Sequence, residues 1–126
     1  MKSLMLKSRH LIVNKEGKIV FGNGRREIFE NIEKTGSMYQ TARNMAMSYK
    51  AVWSKVKATE NAVGVILVER DGTRGSRLTK EGRALLDAYN RFHKKTLQSE
   101  DKYFQSIFKQ GDSRVKRPSR SKETQS

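Results

Sequence analysis

The sequence contains no cysteine, so neither a disulfide framework nor a thiolate zinc site can form, and the chain is indifferent to redox compartment. Its two histidines, His10 and His93, are too few and too far apart in sequence to suggest a metal site. Long apolar runs are missing too. Nothing approaches the roughly 20 apolar residues that span a bilayer, and Lys2, Lys7, Arg9 and His10 interrupt the first residues, which leaves no signal-peptide core. There is no glycine-rich phosphate loop, no metal-ligand constellation and no Ser/His/Asp arrangement, so no enzyme and no cofactor are expected. Acidic residues are scarce: 13 Asp and Glu stand against 27 Lys and Arg, a formal net charge of +14. An excess of that size attracts a polyanion such as nucleic acid or an anionic membrane surface. No segment joins a wide apolar face to a lysine-rich one, which disfavours a membrane partner. A soluble, cytoplasmic protein is expected, and a length of 126 residues with 35% hydrophobic content predicts one compact domain plus a tail.

The apolar residues that are present fall into short periodic segments. In "RHLIVNKEGKIVF" the runs Leu11 to Val13 and Ile19 to Phe21 flank Gly17, which is available for a positive φ, and predict a β-hairpin. From Arg25 to Lys34, Ile28, Phe29 and Ile32 make a helical stripe that stops at Thr35-Gly36. Ser37 then caps a second helix carrying Met38, Ala42 and Met45 inward, and Ser48 caps a third with Val52 and Val56 inward, ending near Gly64. The spacing predicts two short helices joined by a turn of about three residues, with Met38, Ala42, Met45, Met47, Val52 and Val56 buried between them and the first helix. Ala46 stands at that turn, where glycine would take a positive φ most easily. This is a helix-turn-helix pattern, whose second helix offers its outer face, Tyr49, Lys50, Trp53, Ser54 and Lys57, to a DNA major groove. An unremarkable helical hairpin is the alternative.

Next, "VILVERDGTRGSRLT" reads as a strand from Val65 to Glu69, a loop with Gly72 and Gly75, and a return strand from Ser76 to Leu78. A hairpin directly after a recognition helix is a wing, and Arg70, Arg74 and Arg77 on it are suited to phosphates or the minor groove; a solvated turn is the plainer reading. Thr79 caps a long helix in which Leu85, Leu86, Tyr89 and Phe92 repeat. Beyond Phe92 the helix continues or restarts at Ser99, with Leu97, Tyr103, Phe104, Ile107 and Phe108 as apolar residues. Leu85 through Phe108 is read as a dimerisation element, the alternative being that these residues fold back on the N-terminal hairpin. Residues 111–126, rich in Ser, Arg and Lys, are expected to be a disordered basic tail.

The segment "EKTGSMYQTARNMAMSYKAVWSKV", followed by "LVER", a glycine-containing loop and "SRLTKEGRALLDAY", resembles the winged-helix DNA-binding domain of molybdate-responsive, ModE-type transcriptional regulators, and more distantly that of LysR-type regulators. The resemblance implies operator binding by the winged helix and pairing of two subunits through the helix after the wing. It assigns major-groove contacts to Ser48, Tyr49, Lys50, Trp53 and Ser54. Lys50 would donate to guanine or a phosphate, or else be a solvated charge. Tyr49 suits a phosphate, and Trp53 either touches DNA or packs against the second helix. Ser37 and Gln40 would donate to backbone phosphate, unless Ser37 is only a cap. The wing loop "RDGTRGS" is shorter and less glycine-rich than the family's usual one. The chain stops at Ser126 without room for a molybdate-binding domain, so no small-molecule ligand is expected on it.

The expected fold is therefore mainly α with a small β component: an N-terminal β-hairpin extension (1–22), a winged helix-turn-helix domain (23–92), a helical dimerisation extension (93–110) and the tail (111–126). The expected function is a sequence-specific regulator that binds double-stranded DNA as a homodimer through a recognition helix (48–61) and a wing (65–78). A nonspecific architectural protein and a DNA-binding subunit serving a separate sensor protein are the alternatives. A cationic chain that contacts about six to ten phosphates should lose roughly 10³- to 10⁵-fold in affinity between about 50 and 200 mM salt. A flat salt titration of duplex binding would contradict this.

Overall fold

The computed structural model describes residues 2–73 and 75–108. Arg74 and the expected tail, 111–126, lie outside the described residues. The chain forms two compact units, one joining the N-terminal residues up to His10 with the chain from Asn90, the other Leu11–Tyr89.

In the larger unit, β1 (Ile12–Val13) and β2 (Ile19–Phe21) pair antiparallel, with Gly17 at φ +83° in the reversal. Helix α1 (Asn23–Thr35) begins earlier than Arg25, because the Arg26 amide donates to Gly22 O at 2.9 Å and draws the glycine-containing segment into the first turn. It ends at Gly36, whose amide donates back to Ile32 O from a left-handed conformation, φ +69°. That conformation favours a residue without a Cβ. The Ser37 hydroxyl then accepts from the Gln40 amide at 2.9 Å and starts α2 (Met38–Asn44). The Ser48 hydroxyl does the same for the Ala51 amide at 3.0 Å, starting α3 (Tyr49–Val63). Both caps satisfy amides that a helix N-terminus leaves without a partner. Between α2 and α3, Ala46 takes φ +53°, and the Met47 amide reaches back to Ala42 O at 2.9 Å.

Phe21, Phe29, Ile28, Ile32, Val52 and Val56 are wholly buried, with Met38, Ala42, Leu86 and Tyr89 around them. The Phe21 ring meets Phe29 edge-on at 5.1 Å and Tyr89 at 5.1 Å, a favoured arrangement of ring quadrupoles. Met45 and Met47, expected inside, are only partly buried, since they flank the reversal at Ala46 where the chain comes to the surface. A polar link crosses this core. Thr59 Oγ1 donates to Val20 O at 2.8 Å and accepts from Arg25 Nη1 at 2.9 Å, while the same guanidinium nitrogen donates to Ile19 O at 3.0 Å. One arginine thus ties α1 and α3 to β2. Burial lowers the Arg25 pKa from its ordinary value and raises that of the Tyr89 hydroxyl, with Arg26 pulling the latter the other way.

The last helix, α4 (Lys80–Phe108), runs without a restart at Ser99. Its buried side chains are Leu86, Tyr89, His93, Leu97 and Phe104, a stripe at helical spacing. Phe92, expected inward, is 51% exposed because it lies one position off that stripe. In the smaller unit His10 Nδ1 and His93 Nδ1 approach to 2.6 Å. The two histidines that sequence separation kept apart therefore meet, although no group of three or more metal-ligating side chains exists among the described residues. Tyr103, Ile107 and Phe108 are exposed.

A non-glycine residue in the left-handed region carries a cost of roughly 1–2 kcal/mol. Ala46→Gly should therefore raise stability by about 1 kcal/mol, or several degrees in Tm for a domain of this size. Thermal unfolding checks this, and an unchanged or lower Tm would contradict the turn geometry.

Candidate nucleic-acid interface

After α3 the chain forms a two-stranded hairpin, β3 (Val68–Asp71) and β4 (Gly75–Leu78), with Val68 opposite Leu78 and Glu69 opposite Arg77. The strand expected from Val65 starts only at Val68. The residues before it serve as anchors. Glu60, 5% exposed on α3, accepts from the amides of Leu67 at 2.8 Å and Val68 at 3.1 Å through one carboxylate oxygen. Its other oxygen lies 3.2 Å from Lys57 Nζ. From the opposite side, Thr79 N donates to Leu67 O at 2.9 Å and Thr79 Oγ1 to Ile66 O at 2.8 Å. Thr79 Oγ1 also caps α4 by accepting from Gly82 N at 3.0 Å. A Cβ at Gly82 would come within 2.2 Å of Leu67 O, so α4 packs directly on the base of the hairpin. A third tie runs from Ser76 N to Gly36 O at 2.8 Å. The hairpin is thereby fixed through its backbone to α3, to Gly36 after α1 and to the start of α4, with Val68 and Leu78 buried and Glu69, Arg70, Asp71 and Arg77 exposed.

Val52 and Val56 take the inner face of α3, and Ser48, Tyr49, Lys50, Trp53 and Ser54 are exposed on it. Trp53 is 40% exposed, so part of its indole reaches the surface. Lys57 Nζ sits 4.6 Å from the Trp53 ring centroid and pairs with Glu60, so this cation is held at the rim. The Ser37 and Ser48 hydroxyl oxygens accept from cap amides but keep their protons for an outside acceptor. Gln40 Nε2 donates to Asn44 Oδ1 at 2.9 Å. On the hairpin, Arg77 Nε lies 3.0 Å from Glu69 and its Nη1 3.8 Å from Asp71, while Arg70 Nη1 donates to Thr73 O. Between the start of α2, the outer face of α3 and the hairpin lies a groove of about 630 Å³, walled by Tyr39, Tyr49 and Trp53 on one side and by Glu69, Arg70 and Ser76 on the other. Sequence reading missed Glu60, Glu69, Asp71 and Tyr39. For Glu60 a signal existed, since it falls four residues after Val56 on the buried stripe.

Residues 25–83 match the family described as bacterial regulatory helix-turn-helix protein, lysR family. Among solved structures, the DNA-binding domain of CbnR in complex with DNA is similar, at 26% identity and TM-score 0.55, over 68% of this chain and 98% of that one. Full-length LysG from Corynebacterium glutamicum is similar at 30% identity and TM-score 0.50, over 67% of this chain. The DNA-binding domain of BenM with catB site 1 DNA, at 19% identity and TM-score 0.52, over 68% of this chain and 97% of its own, shares the fold. The chain spans 29% of full-length CbnR and 28% of LysG. No curated protein matches the chain. The fold is thus a winged helix-turn-helix, mainly helical with a small β part, with β3–β4 as its wing. Of the two likenesses read from sequence, these findings support the LysR-type one and lend no support to the ModE-type one. The motifs quoted for both cover the same helix-turn-helix and wing, so they could not separate the two. No helix of the described residues is long and apolar enough to cross a membrane.

Glu60→Ala would leave two buried amides without an acceptor, at a cost of about 3 kcal/mol. Urea unfolding should record that loss, and hydrogen exchange at the Leu67 and Val68 amides should accelerate. Unchanged exchange there would remove Glu60 as the anchor of the wing.

Proposed function

We propose that this chain is a LysR-type DNA-binding module of a transcription regulator, recognising specific duplex sequences as a homodimer. The observation that carries the reading is the outward face of α3, where Tyr49, Lys50, Trp53 and Ser54 stand exposed beside a fixed wing in a chain of net charge +14. The likeness to a CbnR domain described in complex with DNA supports it.

In this reading α3 enters the major groove. Lys50 donates to guanine O6 and N7, Tyr49 and Ser48 meet phosphate or base edges, and Ser54 and Lys57 flank them. Ser37 and Gln40 hold the backbone phosphate at the start of α2, and Arg74 and Arg77 on the wing reach phosphates or the minor groove. Exposed Tyr103, Ile107 and Phe108 on α4 supply an apolar surface for a second copy. Pairing of Arg77 with Glu69 and Asp71, and of Lys57 with Glu60, favours a specific reader over a nonspecific architectural binder, because the latter gains most from cations with no internal partner.

Selection of bound genomic fragments should yield a defined sequence. Lys50→Ala should then shrink the preference for that sequence over random duplex by about 1–3 kcal/mol, while Tyr49→Phe should weaken binding to both. If Lys50→Ala left the preference intact, Lys50 would not read a base, and if no sequence were preferred over random duplex the proposed function would fall.

A further inference from the structure

The groove between α3 and the wing has a chemistry that basic charge does not account for. Tyr39, Tyr49 and Trp53 are 62%, 51% and 40% exposed, and all three line it together with the Glu69 carboxylate. The charged groups of the lining, Glu69 and Arg70, come from the wing, and Glu69 is paired with Arg77, whereas the ring faces, which carry negative quadrupole charge and do not attract phosphate, come from the helices. The Lys57 ammonium over the indole is already paired with Glu60. What α3 itself turns toward the groove is ring surface, Tyr49 and Trp53, at the first turns of the helix proposed to enter the major groove.

The apolar atoms a duplex offers in its major groove are the C5-methyl groups of thymine. On the basis of the function proposed above, we infer that Trp53, seconded by Tyr49, is a specificity-determining residue that selects thymine by contact with its C5-methyl group. The partner class is therefore a duplex with thymine at fixed positions under the N-terminal half of α3. Val52 and Val56 lock the helix from behind, and the Ser48 cap fixes its first turn. The rings are thus held by packed backbone, a rigidity that methyl-scale discrimination needs.

The test uses the full chain and a library of duplexes with a randomised core. The tightest-binding sequence is resynthesised with deoxyuridine replacing thymidine one position at a time, which removes a methyl group and nothing else. Burying one methyl group is worth about four-fold in affinity. One or two positions per half-site should therefore show a loss of about that size, and the loss should disappear in Trp53→Gln or in Tyr49→Gln. Both side chains are exposed, and an unchanged Tm for each variant checks that the fold persists. Equal affinity for the thymine and uracil forms at every position would overturn the inference while leaving specific DNA binding standing. So would a thymine preference that survives in both variants. Tighter binding of single-stranded than of duplex DNA would instead assign the rings to base stacking. Absence of any duplex binding would remove the proposed function and this inference together.

Discussion

The carboxylate of Glu60 is the constraint on which the two halves of the interface depend. A recognition helix and a wing act on the same duplex only if their relative position is fixed to within an ångström or so. Here the fixing element is a buried side chain of α3 that accepts from the first two backbone amides of the wing's base, Leu67 and Val68. The arrangement resembles a helix cap, with the amides belonging to a strand instead of a helix. Replacing backbone partners by a carboxylate explains why β3 begins at Val68 and not at Val65. The residues between carry hydrogen bonds outward to α3 and α4 rather than across a sheet. Lys57 compensates the second oxygen from the solvent side, so the buried charge is not isolated.

That compensation has a consequence for electrostatics. The formal excess of +14 is not spread evenly over the surface near the groove. Lys57 answers to Glu60, and Arg77 to Glu69 and Asp71, whereas among the described residues no acidic side chain pairs with Lys50 or Lys55 on α3. Exposed ion pairs of the Arg77 kind contribute about 0–1 kcal/mol each. A phosphate can therefore displace the acidic partners of Arg77 at little cost, while Lys57 is bound to a buried partner and yields less readily. The wing cation is exchangeable and the α3 cation is structural, although both looked alike as surface lysine and arginine.

Much of the fold was legible in the sequence because it rests on local rules. Ser37 and Ser48 cap α2 and α3 as their spacing required, Gly17 and Gly36 adopt the positive φ their positions suggested, and Val52 and Val56 fill the core. What escaped was decided by contacts distant along the chain. Glu60 lies on the stripe of Val52 and Val56 but was passed over because a charged residue on a helix is ordinarily solvent-facing, and its partners lie beyond the turn. The His10–His93 contact joins residues 83 positions apart, which no periodicity reports. Phe92 was assigned inward since hydrophobicity alone gives it the same weight as Tyr89, yet the stripe through Leu86, Tyr89, His93 and Leu97 passes one residue away. A histidine inside the stripe concealed its true register. Of the interface residues, sequence periodicity selected the outer face of α3 correctly as a surface, and the structure adds Tyr39 from α2 and Glu69 from the wing, neither of which shares a helix face with Trp53.

The turn at Ala46 joins these observations. Glycine is absent where the backbone needs a left-handed residue, and the conformation persists because both flanks over-determine it. Upstream, Met47 N closes onto Ala42 O, and Ala42 is itself buried in the core. Downstream, Ser48 caps α3 and fixes its first turn. The strained residue is thus compressed between a packed contact and a cap, and the direction of α3 is set before any DNA is present. Side chains on its outer face contribute little to holding the helix, since Val52, Val56, Thr59 and Glu60 do that from the inner face. Tyr49, Lys50, Trp53 and Ser54 are accordingly exposed positions that can vary while the fold stays constant, and under the proposed function their identities answer to the duplex and not to the demands of the core.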